Sequence, residues 1–295
     1  MSFLKKGDKV GIIAPSVGLQ NKDINPTLSY FKNMGLIPVL ADNLQKEYRY
    51  MAGTDEERAT ATNNFFSDKS VKALVCLRGG AGSTRMLPYL NYKLIKQNPK
   101  PIIGLSDSTA LQNALIKKAD NPSFTGFLPL YDLNNKHLTD VTDKALKSAL
   151  FSDKNAITSG KCLIKGSAKG KIIGGCLSVL LYLCGTPYFP DLKDKILLIE
   201  DDDEKTYKTD LMLNQLKQQK NFNKLKAVIF GHFTDSHIVD PEDGTIEDCI
   251  RDFTKGLNIP VVTDFAYGHI KERYLVPLGI EATLSVAPKK CTLTW

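Results

Sequence analysis

Four short apolar runs, at residues 10–14, 37–41, 73–77 and 101–105, each give way to a segment of helical periodicity, at 25–34, 55–66, 83–90 and 108–118. A βαβα rhythm of this kind holds a chain to a mostly parallel sheet with helices on both faces. Such sheets carry their ligand-binding loops at the carboxyl ends of the strands. The rhythm then breaks. Residues 151–171 are rich in Lys, Ser, Gly and Thr and form the expected linker or domain crossing. Beyond them, 172–185 is apolar and helix-like, 195–200, 227–230 and 260–264 read as strands, 209–219 and 246–254 as helices, and 281–295 as a β tail. Two domains are expected, over 1–150 and 172–295, the second a mixed α/β unit.

With 42% apolar and 24% charged residues over 295 positions, the composition is that of a globular chain able to bury a sizeable core. The net charge of +7 comes from scattered lysines; no basic run is interleaved with aromatics, so nucleic acid is not an expected partner. The apolar stretch after Lys9 is too short for a signal-peptide core, and no segment approaches a membrane span. Cys76, Cys162, Cys176, Cys184, Cys249 and Cys291 are dispersed without a C-x-x-C pair, which argues against a zinc ribbon or redox motif and for a reducing, cytoplasmic setting.

The fourth strand runs into Gly104-Leu105-Ser106-Asp107-Ser108 at the start of a helix. The segment is similar to the G-x-S-x-G nucleophile elbow, in which a sharp turn exposes the serine hydroxyl beside helix N-terminal amides. Serine and aspartate are equally at home as helix caps, and the segment alone leaves both readings open. After the third strand comes Arg78-Gly79-Gly80-Ala81-Gly82-Ser83. This loop suits half of an oxyanion hole or a plain tight turn; it lacks the pattern of a phosphate-binding loop. An activated serine needs a base and an orienting carboxylate. His269 follows the strand at 260–264, whereas His137 sits in a polar, solvated-looking run. His232 and His237, with Asp235, match no familiar metal spacing. Among the five acids at 200–204, Glu200 directly ends a buried strand and is the one expected to be held rigidly.

At these residues the chain resembles the LD-carboxypeptidase family of serine peptidases, which also includes microcin C self-immunity proteins. The resemblance rests on an ordered set of segments along nearly the whole chain. They include Gly11-Ile12-Ile13-Ala14-Pro15-Ser16, Met51-Ala52-Gly53-Thr54-Asp55-Glu56-Glu57-Arg58, the glycine loop, the Ser106 segment, Leu198-Ile199-Glu200-Asp201, and Gly268-His269 with Leu275-Val276-Pro277-Leu278-Gly279. It implies a Ser-Glu-His triad of Ser106, Glu200 and His269, with the backbone amides of Gly80 and Asp107 as oxyanion donors. The implied fold is α/β: an N-terminal flavodoxin-like domain, similar to class I glutamine amidotransferases, that supplies the nucleophile, and a C-terminal swivelling β/β/α domain that supplies Glu and His. A cytoplasmic homodimer without metal or cofactor is implied as well, acting on a small muropeptide. The carboxypeptidases release terminal D-alanine from murein tetrapeptide in cell-wall recycling, and the immunity branch cleaves an aminoacyl- or peptidyl-nucleotide amide. Ala81, Thr125, Cys176 and Leu211 depart from the family's usual Tyr, His, Asn and Arg. An inactive small-peptide-binding protein using the same cleft is the alternative of another class, and a metal hydrolase built on His232, His237 and the acidic cluster a more distant one.

Overall fold

The computed structural model describes residues 4–134, 137–152 and 155–295. The first half alternates as the sequence pattern predicts: β1 (Lys9–Ile13), α1 (Asn25–Asn33), β2 (Ile37–Leu40), α2 (Asp55–Ser67), β3 (Val71–Cys76), α3 (Ser83–Met86), α4 (Tyr92–Gln97), β4 (Ile102–Gly104), α5 (Ser108–Ala119) and β5 (Ser123–Thr125). These five strands are parallel, in the order β5-β4-β3-β1-β2. Local chemistry fixes the helix starts. At α2, Thr54 accepts from the Glu57 N–H while the Glu57 carboxylate accepts from the Thr54 N–H, closing a capping box.

Two helices, α6 (Pro129–Asp132) and α7 (Asp140–Phe151), lead out of this sheet. Of the expected linker at 151–171, residues 153 and 154 lie outside the described residues. The rest carries the end of α7, β6 (Ala156–Thr158), β7 (Lys161–Ile164) and the start of β8 (Gly166–Cys176). There follow α8 (Leu177–Leu181), β9 (Lys195–Asp202), α9 (Thr206–Lys217), β10 (Ala227–Thr234), α10 (Ile246–Thr254), β11 (Val261–Thr263), β12 (Val276–Leu278), β13 (Glu281–Ala287) and β14 (Lys290–Thr294). The second sheet has the order β6-β14-β13-β8-β9-β10-β11-β7, and its centre, β8 to β11, is parallel. Strand β12 returns to the first sheet and pairs antiparallel with β5. The architecture is thus mixed α/β with two sheets.

One expected helix is corrected. Residues 172–176 are strand, not helix: Lys171 to Cys176 pair in parallel with Lys195 to Glu200, and only α8 is helical after them. A uniformly apolar run has no period to separate the two states, and pairing with β9 decides it. Helix α5 sits where the sheets meet. All of it except Lys117 and Lys118 is buried. The Asn113 side chain donates to the Gly174 carbonyl at 2.8 Å and accepts from the Gly174 N–H at 3.0 Å, so the helix is stitched to β8. Thr109 Oγ1 accepts from the Cys176 N–H at 3.0 Å. Among the described residues no helix is long and apolar enough to cross a membrane.

Candidate active site

The carboxyl ends of β3, β4 and β9 and the loop after β11 converge on one cleft. Ser106 lies between β4 and α5 with φ +62°. That left-handed backbone suits the sharp turn of an elbow. The glycine loop after β3 passes against it: a Cβ on Gly79 would lie 2.9 Å from Ser106 Cβ and 3.1 Å from its Oγ. Gly80 has φ +109°, a conformation that favours glycine. Among the described residues neither the Gly80 N–H nor the Asp107 N–H has a hydrogen-bond partner, so both amides are available to a ligand.

Asp107 locks the two loops together from beneath. Its buried carboxylate accepts from Ser16 Oγ and, at 2.9 Å, from the Ser83 N–H, while its carbonyl accepts from Ser83 Oγ at 2.5 Å. Arg58, also buried, donates to the carbonyls of Pro15 and Gly82 and to Asp55. Both residues stand in segments that are distinctive in sequence, yet nothing local reveals which loops they join.

Glu200 is fully buried near the end of β9, and its Oε2 receives His269 Nδ1 at 2.8 Å. Donation from Nδ1 leaves Nε2 unused, the tautomer a general base requires. Burial pushes Glu200 up, opposed by its bond to His269. Burial would push His269 down, but the hydrogen bond and charge of Glu200, with Asp202 adding to them, outweigh it and hold the imidazole above its ordinary value. Ser106, Gly80 and His269 line one cleft of about 310 Å³, together with Arg78, Lys22 and Asp202. Ser106 and His269 share its wall without a direct hydrogen bond, an open spacing common before substrate is bound.

The remaining candidates disperse. His137 is half-buried, edge-on to Tyr131 at 5.0 Å, rather than solvated. His232 donates its backbone N–H to the Tyr267 carbonyl and lines a separate cavity. His237 pairs with Asp203 at 3.0 Å on the surface. The acids after Glu200 are partnered one by one: Asp201 by Ser178, Asp202 by Thr234, Asp203 by His237. Among the described residues no three His, Cys, Asp or Glu side chains stand where they could hold a metal ion. Of the departures, Thr125 bonds the Tyr267 hydroxyl at 2.7 Å, Cys176 is buried beside Asp201, and Leu211 is exposed on α9.

Sequence and structure comparisons identify the relatives of this chain. Residues 10–126 match the LD-carboxypeptidase N-terminal domain and residues 169–284 its C-terminal domain. A probable murein peptide carboxypeptidase of Bacillus subtilis is 30% identical over 295 residues, covering 98% of this chain and 92% of that protein. The microcin C7 self-immunity protein MccF of Escherichia coli is 26% identical, covering 99% and 94%. The crystal structure of a muramoyltetrapeptide carboxypeptidase from Oxalobacter formigenes superposes with a TM-score of 0.89 at 28% identity, covering 97% and 98%.

Proposed function

Because the chain belongs to the LD-carboxypeptidase family, we propose that it hydrolyses the amide bond before the terminal D-alanine of a murein tetrapeptide, by an acyl-enzyme mechanism at Ser106. The observation that carries this is the Glu200-held imidazole of His269 opening onto the same cleft as the strained Ser106. His269 Nε2 takes the Ser106 proton as Oγ bonds to the scissile carbonyl carbon. The N–H groups of Gly80 and Asp107 receive the oxyanion, each well-placed donor being worth about 2.7–4 kcal/mol. Collapse of the intermediate breaks the C–N bond, and the leaving amine takes the proton from His269. Water then attacks the ester, gives its proton to His269, and Ser106 recovers it as the acid leaves.

The parallel strand order 2-1-3-4-5 supports a flavodoxin-like first domain over 1–150, with 172–295 as the domain that brings Glu200 and His269. A cytoplasmic homodimer is part of the same proposal. Purified protein incubated with murein tetrapeptide is expected to release D-alanine, detected by mass spectrometry, and Ser106→Ala to release none. Equal release by the two proteins rejects the assignment. Release of nucleotide from an aspartyl-nucleotide amide, with no D-alanine, assigns the amidase activity instead.

A further inference from the structure

We infer that Arg78, supported by Lys22, is the subsite for the free carboxylate of the peptide's last residue, so that the cleft selects substrates by the residue it releases; this rests on Ser106 being the nucleophile of a peptide hydrolase. Of the five other arginines, Arg58, Arg85, Arg251 and Arg273 are each paired with a carboxylate, and Arg49 lies over the Tyr48 ring. Arg78 is not: its one hydrogen bond goes to the neutral Gln20 Oε1 at 3.0 Å, and among the described residues neither it nor Lys22 has an acidic partner. A guanidinium carries five donors in a fork that matches a carboxylate, and here most of that fork is unspent on the wall of the cleft.

The supporting loop is shaped for the task. Gln20 and Asn21 are consecutive residues with φ +48° and +58°, a turn that brings Gln20 onto Arg78 and Lys22 to the cleft rim. Strained non-glycine backbone of this kind persists where a site depends on it. The cleft also has an acidic side chain. Asp202 stands two residues after Glu200 on β9, hence on the same face of the strand, and lines the cleft beside His269. A peptide carboxylate is therefore repelled from the His269 side and drawn to Arg78. Arg78 directly precedes Gly79 and Gly80, so a carboxylate bound there lies close to the oxyanion amides. Only the residue immediately after the scissile bond has its carboxylate in that place, which suits removal of a single terminal residue.

The test is calorimetric binding to the full chain carrying Ser106→Ala, with the tetrapeptide L-Ala-γ-D-Glu-L-Lys-D-Ala as free acid and as C-terminal carboxamide. Loss of a charge-assisted pair predicts that the acid binds about 10- to 100-fold tighter than the amide. Adding Arg78→Met is expected to erase that preference, whereas Arg78→Lys, which keeps a point charge, retains part of it, and Lys22→Met lowers it to a smaller degree. Equal binding of acid and amide, no binding of the acid, or a preference that survives Arg78→Met overturns the inference. D-alanine release by the wild-type chain is measured alongside. Release without acid preference removes the subsite and leaves the hydrolase standing; acid preference without release does the reverse.

Discussion

Ser106 holds its backbone at φ +62°, a conformation that costs a residue with a Cβ about 1–3 kcal/mol and lasts only where the surroundings over-determine it. They do so here, because Asp107 ties the turn to Ser16 and Ser83 while the glycine loop passes so near that a Cβ on Gly79 would meet the serine. Gly79→Ala places a methyl 2.9 Å from Ser106 Cβ. It is expected to lower kcat/KM by about 100-fold, the scale of an ångström's misplacement, with an unchanged circular dichroism spectrum. Activity close to wild type would show that the loop does not set the serine. At His269 the sign of the pH effect follows from its partners. Glu200 raises the imidazole, so the neutral base is lost to protonation at a higher pH than for a free imidazole. The acid limb of kcat/KM is expected above 6.5. Glu200→Gln removes the raising charge and moves the limb to lower pH while depressing the plateau; a limb that stays put contradicts the pairing.

At the scale of elements, the site depends on α5 being fixed between the sheets. Asn113→Ala leaves the Gly174 N–H and carbonyl buried without their side-chain partner, at a cost of about 1–3 kcal/mol for an unsatisfied group. Urea unfolding is expected to report that loss, and a change below about 0.5 kcal/mol would place the stitch elsewhere. This contact could not be read from the chain, because Asn113 and Gly174 are far apart in sequence. The first four strands were legible, since each apolar run is bounded by a helical period or a turn. So was the position of Ser106, at the end of β4. The run at 172–176 was not, because buried strand and buried helix share one apolar pattern. Short β5, β6, β7 and β12 were missed for a related reason: three or four residues give no period, and their strand state comes from their neighbours in the sheet. Glu200 stood out as a carboxylate after four aliphatic residues, but its bond to His269, on a separate loop, is a product of the fold.

Across the whole molecule, the loop that carries His269 is anchored to the first half through Arg273. This fully buried guanidinium meets Asp132 at 2.7 Å through both carboxylate oxygens and also donates to the Gly126 carbonyl at 2.9 Å. Asp132→Ala strands the cation in the interior and is expected to cost about 3–5 kcal/mol of stability. Pairing it with Arg273→Met removes the stranded charge and is expected to recover part of the loss by denaturant unfolding. An Asp132→Ala protein as stable as wild type would refute the anchoring. The two halves thus meet through α5, β12 and Arg273, and Ser106 of one lines the same cleft as His269 of the other. The most direct measurement of that arrangement is labelling with a fluorophosphonate, mapped by peptide mass spectrometry. A single adduct on Ser106 is expected in the wild type, strongly slowed in His269→Ala and absent in Ser106→Ala. Labelling of Ser106→Ala at the wild-type rate, or an adduct on another residue, would contradict Ser106 as the nucleophile.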